Sequence, residues 1–245
     1  MKTTSMIIAI VIMSASFITG NDLLIIDKDL ANSYKILVSG VFNRSVVHGI
    51  DGKEWYGLFK TDSGCVLEPV EIKTKSCPAP FSDRPGDTNV VSITVEHPLK
   101  SLLLVGSSHG FKSGLITTYF TGDRFIQAGI LISLGKYYFL TALGLVTDAG
   151  WRHPSDIPTF NYQILLLKYP FSRNDRQILV QHEIAAGEST PSLLWAGDLD
   201  RDGQLDLLLD ISNHYAGRHY ALYLSSEADA GDLVKPVAEL IIAGC

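Results

Sequence analysis

The sequence is short of several things, and each shortage excludes a class of protein. Three cysteines cannot staple 245 residues into a disulfide scaffold, and 21 glycines are far below the one third of a collagen repeat. Charged residues make up 19% of the chain and no basic run occurs, so nucleic acid and an anionic membrane surface are not expected partners. No apolar run reaches the roughly 20 residues of a membrane-spanning helix. Helical periodicity is also scarce, its best stretch being the short segment 225–233. What is present is apolar character: 46% hydrophobic residues can bury enough surface to offset the ordering entropy that keeps polar chains unfolded.

Part of that character sits at the N-terminus. Lys2 precedes a 13-residue apolar stretch from Met6 to Ile18, followed by Thr19 and Gly20 and then by polar Asn21 and Asp22. A charged start, a short apolar core and small residues at the cut are the layout of a secretory signal peptide. Cleavage after Gly20 is expected, with cleavage after Ser16 as the rival. Residues 21–245 then form a single secreted or periplasmic domain with no stable membrane insertion. One lysine leaves with the first 20 residues, so the net charge moves from −6 to −7.

Export would place Cys65, Cys77 and Cys245 in an oxidising compartment, where a disulfide is expected. If the intervening run is extended, Cys65 and Cys77 lie roughly 35–40 Å apart at ~3.3 Å per residue, whereas a disulfide needs Cα atoms within about 7 Å. A bond from Cys245 to one of the others is therefore preferred; three unpaired thiols are the alternative.

Beyond residue 22 the chain reads as short strands punctuated by turn residues. Segments 23–26, 34–42, 56–59, 70–74, 90–95, 102–105, 115–120, 137–146, 162–167 and 178–184 are rich in Val, Ile, Leu, Tyr or Phe. Asp51-Gly52, the Pro-rich segment 77–86 and Gly122-Asp123 break them. Strands without alternating helices predict an all-β, mainly antiparallel fold: a sandwich, a barrel or a small propeller. Trp55-Tyr56-Gly57-Leu58-Phe59 alternates as a core strand does, which outweighs its reading as a carbohydrate surface.

One segment carries a chemical signal. Asp198, Asp200, Asp202 and Asp206 occupy positions 1, 3, 5 and 9 of a loop, with Gly203 at position 6. Odd spacing aims alternate carboxylates at one centre, and the glycine permits the turn that returns position 9 to it. With the backbone carbonyl of Gln204 at position 7, the set is an oxygen cage for a hard cation, Ca2+. Two like charges 4 Å apart repel by about 4 kcal/mol at an effective dielectric near 20. Four carboxylates make six such pairs, so without a cation the loop is expected to be loose, a solvated acidic turn being the alternative.

Position 12 is Leu209, where an EF-hand carries a bidentate Glu; Pro191 precedes the loop, and the apolar run 207–209 follows it as a buried strand would. This resembles the strand–loop–strand calcium repeat of the FG-GAP/VCBS type, Asp-x-Asp-x-Asp-Gly-x-x-Asp, in a single copy over residues 193–211. The resemblance implies Asp198, Asp200, Asp202, Gln204 and Asp206 as ligands. The function expected is a calcium-stabilised binding or envelope-associated module without catalysis, whose partner is a surface or envelope protein or a glycan. The rival is a secreted serine hydrolase, because Gly106-Ser107-Ser108-His109-Gly110 fits the Gly-x-Ser-x-Gly elbow. Ser108 would then act with Asp148 or Asp156 and with His182 or His214. That elbow needs a helix after the serine, however, and residues 111–120 favour a strand.

Overall fold

A computed structural model describes residues 24–77, 90–146, 158–172, 175–185, 190–213 and 217–243. The expected signal peptide, most of the Pro-rich segment, Asp148, Asp156, His214 and Cys245 lie outside these residues. The described chain is almost entirely antiparallel β-structure, as the alternation predicts.

In chain order the strands are β1 (Tyr34–Leu37), β2 (Gly40–Asn43), β3 (Glu54–Thr61), β4 (Gly64–Pro69), β5 (Lys73–Cys77), β6 (Val90–Thr94), β7 (Ser101–Ser107) and β8 (Gly114–Phe125). There follow β9 (Ile132–Leu134), β10 (Tyr138–Val146), β11 (Thr159–Lys168), β12 (Arg176–Ala185), β13 (Ser192–Asp198), β14 (Asp206–Asp210), β15 (Gly217–Leu224) and β16 (Lys235–Ala243). Several boundaries differ from expectation. The run 34–42 is broken into β1 and β2, and 70–74 resolves into β4 before it and β5 over its end. Residues 24–26 form no strand. A single-turn helix, α1 (Lys28–Ser33), follows, started by Asp27, whose carboxylate accepts the Asp29 N–H at 2.8 Å. Residues 225–233 form turns rather than a helix.

Nine strands form one sheet in the order β1-β7-β3-β4-β8-β13-β14-β15-β16, and its end strands β1 and β16 pack together, so the sheet is a nearly closed barrel. Long β8 joins its halves, pairing with β4 near its start and with β13 over most of its length. A second sheet runs β12-β11-β10-β9 and a third β2-β6-β5.

Strand β14 shows how the layers meet. Successive side chains of a strand point to opposite faces. Leu208 accordingly joins one core with Ile36, Leu58, Leu103, Trp195 and Leu222. Leu207 and Leu209 join a second core with Leu140, Tyr162, Ile164 and Tyr223, against the four-stranded sheet. A strand buried on both faces needs an uninterrupted apolar run, which Leu207-Leu208-Leu209 supplies.

Cys65 is fully buried in β4 and Cys77 is half-buried at the end of β5, both as free thiols. The two strands belong to different sheets. No disulfide joins them.

Candidate metal centre

The acidic loop connects β13 to β14, and the antiparallel register fixes its mouth: Gly197 pairs with Asp206, so Asp198 leaves the ladder as Asp206 enters it. Gly197 is dictated by packing, since a Cβ there would lie 2.3 Å from the Thr117 carbonyl oxygen of β8 and 2.4 Å from the Trp195 ring. Gly203 is dictated by conformation, with φ of +85°.

Two leucines pin the loop. Leu199 is fully buried in the first core and Leu205 in the second. They stand at positions 2 and 8 of the motif, between the acids, and anchor both limbs so that the carboxylates face each other. Sequence reasoning centred on the acids passed over these two residues, although their alternation with the acids was the available signal.

The structure brings three of the four predicted carboxylates together. One oxygen each from Asp198, Asp200 and Asp206 lies within 4.8 Å of the others. Asp202 lies outside this group: its Oδ2 shares the Ser225 hydroxyl, 3.0 Å away, with Asp206 Oδ1, and its Oδ1 accepts the Gln204 N–H at 2.7 Å. The Gln204 side chain is exposed, with the Lys168 ammonium 3.5 Å from its Oε1.

The backbone of the loop donates inward. Asp198 Oδ2 accepts the Gly203 N–H at 3.1 Å, Asp200 Oδ1 accepts that of Asp202 at 3.1 Å, and Asp206 Oδ2 accepts that of Leu199 at 2.6 Å. Asp206 Oδ1 also accepts the Ser225 N–H at 2.8 Å and its hydroxyl at 3.0 Å. These bonds hold the carboxylates in place without neutralising them.

Asp206 is fully buried, and Asp198 is only 8% exposed. Burial is the main reason why all three acids are held above the ordinary carboxylate range; neighbouring Asp charges add to it. Asp206 is pushed up to about 8 by burial and then by the charge of Asp200.

Among the described residues, two buried side-chain atoms lack a hydrogen-bond partner, the Trp195 indole nitrogen and, within the triad, Asp198 Oδ1. Elsewhere the chain satisfies a buried acid. Asp210, on the same strand as Asp206, receives the Arg218 guanidinium at 3.0 Å together with the N–H and hydroxyl of Ser212. The triad has no cationic side chain of this kind among its hydrogen-bond partners, and its three carboxylates are hard oxygen donors of the type calcium takes. The residues fit a cation.

Among the described residues, no other group of His, Cys, Asp or Glu converges in this way. His219 pairs with Glu239 at 2.8 Å, Asp229 with Lys235 at 2.9 Å, and Glu227 accepts the Tyr34 hydroxyl at 2.6 Å.

Ser108 is exposed beyond the end of β7, with the Lys53 ammonium 3.4 Å from its hydroxyl. The next element is β8 rather than the helix an elbow requires. His182 lies buried in β12, donating from Nε2 to the Ile211 carbonyl at 3.1 Å.

No protein-family model matches the chain, no curated protein matches it, and no solved structure matches its fold.

Proposed function

We propose that this chain is an exported calcium-binding β-domain. One structural calcium ion would be held by Asp198, Asp200 and Asp206, with Asp202 and the Gln204 carbonyl completing the set as in the FG-GAP/VCBS-type loop. The single observation that carries the reading is the partnerless, buried Asp198 Oδ1 within a triad of facing carboxylates. An unpaired buried acceptor costs about 1–3 kcal/mol, more when charged, and a divalent ion removes that cost. Calcium supplies charge balance and coordination here, and the protein supplies preformed geometry: the loop is spanned by a hairpin and pinned in two cores, so binding orders little chain. The domain acts as a binding module without catalysis.

Thermal melting in chelator and in millimolar calcium tests the reading. At ten times the dissociation constant calcium adds about 1.4 kcal/mol to folding stability, which raises the melting temperature of a domain this size by about 3–6 °C. The double variant Asp200→Ala, Asp202→Ala is expected to lose that rise. A wild-type melting temperature indifferent to calcium would end the proposal.

A further inference from the structure

The barrel closes along a seam where β1 meets β16. Each of these strands is laddered on one side only, β1 to β7 and β16 to β15, and among the described residues no backbone hydrogen bond joins the two. Side chains close the gap instead: Tyr34, Ile36 and Leu37 of β1 pack in the first core with Val237, Ala238 and Leu240 of β16. Facing strand edges without a ladder are held by packing alone, so the barrel opens here at lower cost than between its laddered strands.

A buried polar bond spans the seam, and it leads to the acidic loop. The hydroxyl of Tyr34, a residue only 7% exposed, donates to Glu227 at 2.6 Å. Glu227 follows Ser225 and Ser226 in the turn between β15 and β16, so this bond ties β1 to the hairpin that carries β16. The same turn rests on the proposed calcium ligands. Ser225 donates its N–H to Asp206 Oδ1 at 2.8 Å and shares its hydroxyl between Asp206 and Asp202, while Ser226 donates its hydroxyl to Asp200. Burial holds the Tyr34 hydroxyl above the ordinary tyrosine range, followed by the bond to Glu227 and the charges of Glu227, Asp200 and Asp206, so these acids crowd one end of the seam. Without a cation, Asp200 and Glu227 carry like charge there, and their repulsion loosens loop and turn together. A cation held by Asp198, Asp200 and Asp206 offsets that repulsion and fixes the acceptors on which Ser225 and Ser226 rest.

We infer that calcium in the loop latches the barrel seam: the ion holds the 225–227 turn, the turn holds Tyr34, and Tyr34 holds β1 against β16. This device rests on the calcium reading above and carries the ion's effect beyond its own loop. Hydrogen exchange of the full chain tests it, read by mass spectrometry in millimolar calcium and in chelator beside the melting curves of the same samples. At ten times its dissociation constant, calcium slows an opening that releases it by about tenfold. That slowing is expected in peptides covering 34–37 and 235–243, whereas β5, an edge strand of the third sheet, should exchange at one rate in both conditions. Tyr34→Phe keeps the ring in the core and removes the hydroxyl; Glu227→Ala removes its acceptor. Each variant is expected to retain the calcium-induced rise in melting temperature and the slowing in the 225–227 turn, while β1 no longer responds. If calcium raises the melting temperature but leaves exchange in β1 and β16 unchanged, the latch is refuted and the calcium reading stands. Equal slowing in β5 means a general stabilisation and also refutes the latch. Slowing of β1 that survives in both variants refutes the route through Tyr34. If calcium alters neither melting nor exchange, the calcium reading fails and the latch fails with it.

Discussion

Replacing Asp198 by Asn separates a cation site from an ordinary acidic turn, because the two readings demand opposite signs in chelator. Asn has nearly the shape of Asp, and its amide oxygen can still accept the Gly203 N–H that Asp198 Oδ2 accepts at 3.1 Å. Its NH2 group then falls where Oδ1 stands buried without a partner, close to the Asp200 and Asp206 carboxylates. Without a cation, the substitution removes a repelling charge and adds a donor. The oxygens of the triad lie within 4.8 Å of one another. At that separation, a pair of full charges repels by about 3.5 kcal/mol at an effective dielectric of 20 and by about 0.9 kcal/mol in bulk water. Asp206, pushed up to about 8, is largely protonated at neutral pH, which leaves the repulsion between Asp198 and Asp200 as the main contribution. Asp200 is partly exposed, so the gain should fall between those limits. We expect Asp198→Asn to be more stable than wild type in chelator by about 1–3 kcal/mol, or about 2–12 °C in melting temperature. In saturating calcium the order should reverse, because wild type gains binding energy that the variant has lost with its charged ligand. Differential scanning calorimetry in chelator and in millimolar calcium reads both signs. An equal deficit of the variant in the two conditions would show that Asp198 merely caps the loop, and would refute the reasoning.

Three further outcomes are expected. Asp206, raised to about 8, keeps in the calcium-free fold a proton that the unfolded chain, titrating near 4, has released; its contribution to calcium-free stability therefore falls as pH rises from about 4 to 8. Calcium displaces that proton, so affinity measured by titration calorimetry should strengthen up to about tenfold per pH unit towards pH 8, and a pH-independent affinity would argue against Asp206 as a ligand. Leu199→Ala removes a fully buried anchor and should cost about 2–5 kcal/mol in urea unfolding, weakening calcium binding at the same time; normal affinity in the folded variant would mean that the loop does not depend on this anchor. Gly197→Ala places a methyl group 2.3 Å from the Thr117 carbonyl oxygen, so β13 and β8 must part at a cost of about 1–3 kcal/mol, with a shift in tryptophan emission as the Trp195 ring is displaced; wild-type stability and emission would show that this close approach is dispensable.

Local chemistry made part of this molecule legible. Alternating apolar residues and turn signals predict antiparallel strands, and β6, β7, β10, β11 and β12 fall close to their expected spans. The odd spacing of Asp198, Asp200 and Asp206 around Gly203 predicts carboxylates converging in a tight turn, because side-chain direction in a short loop follows from backbone geometry within a few residues. The uninterrupted Leu207-Leu208-Leu209 run predicts a strand buried on both sides, as β14 is.

The rest depended on distant parts of the chain. Asp202 satisfies the same spacing rule as its neighbours but turns to Ser225, a residue 23 positions away that no local pattern could place beside it. That Cys65 and Cys77 are not bonded to each other follows from a topology that sends β4 into the barrel and β5 into another sheet. Barrel near-closure, the split of β14 between two cores and the anchoring of the loop by Leu199 and Leu205 all arise from which sheets pack together. The sequence by itself determined which side chains could make a cation site. Tertiary structure decided which of them meet, how deeply they are buried and which acceptor stays without a partner, because burial and long-range hydrogen bonds are properties of the packed chain and not of any segment within it.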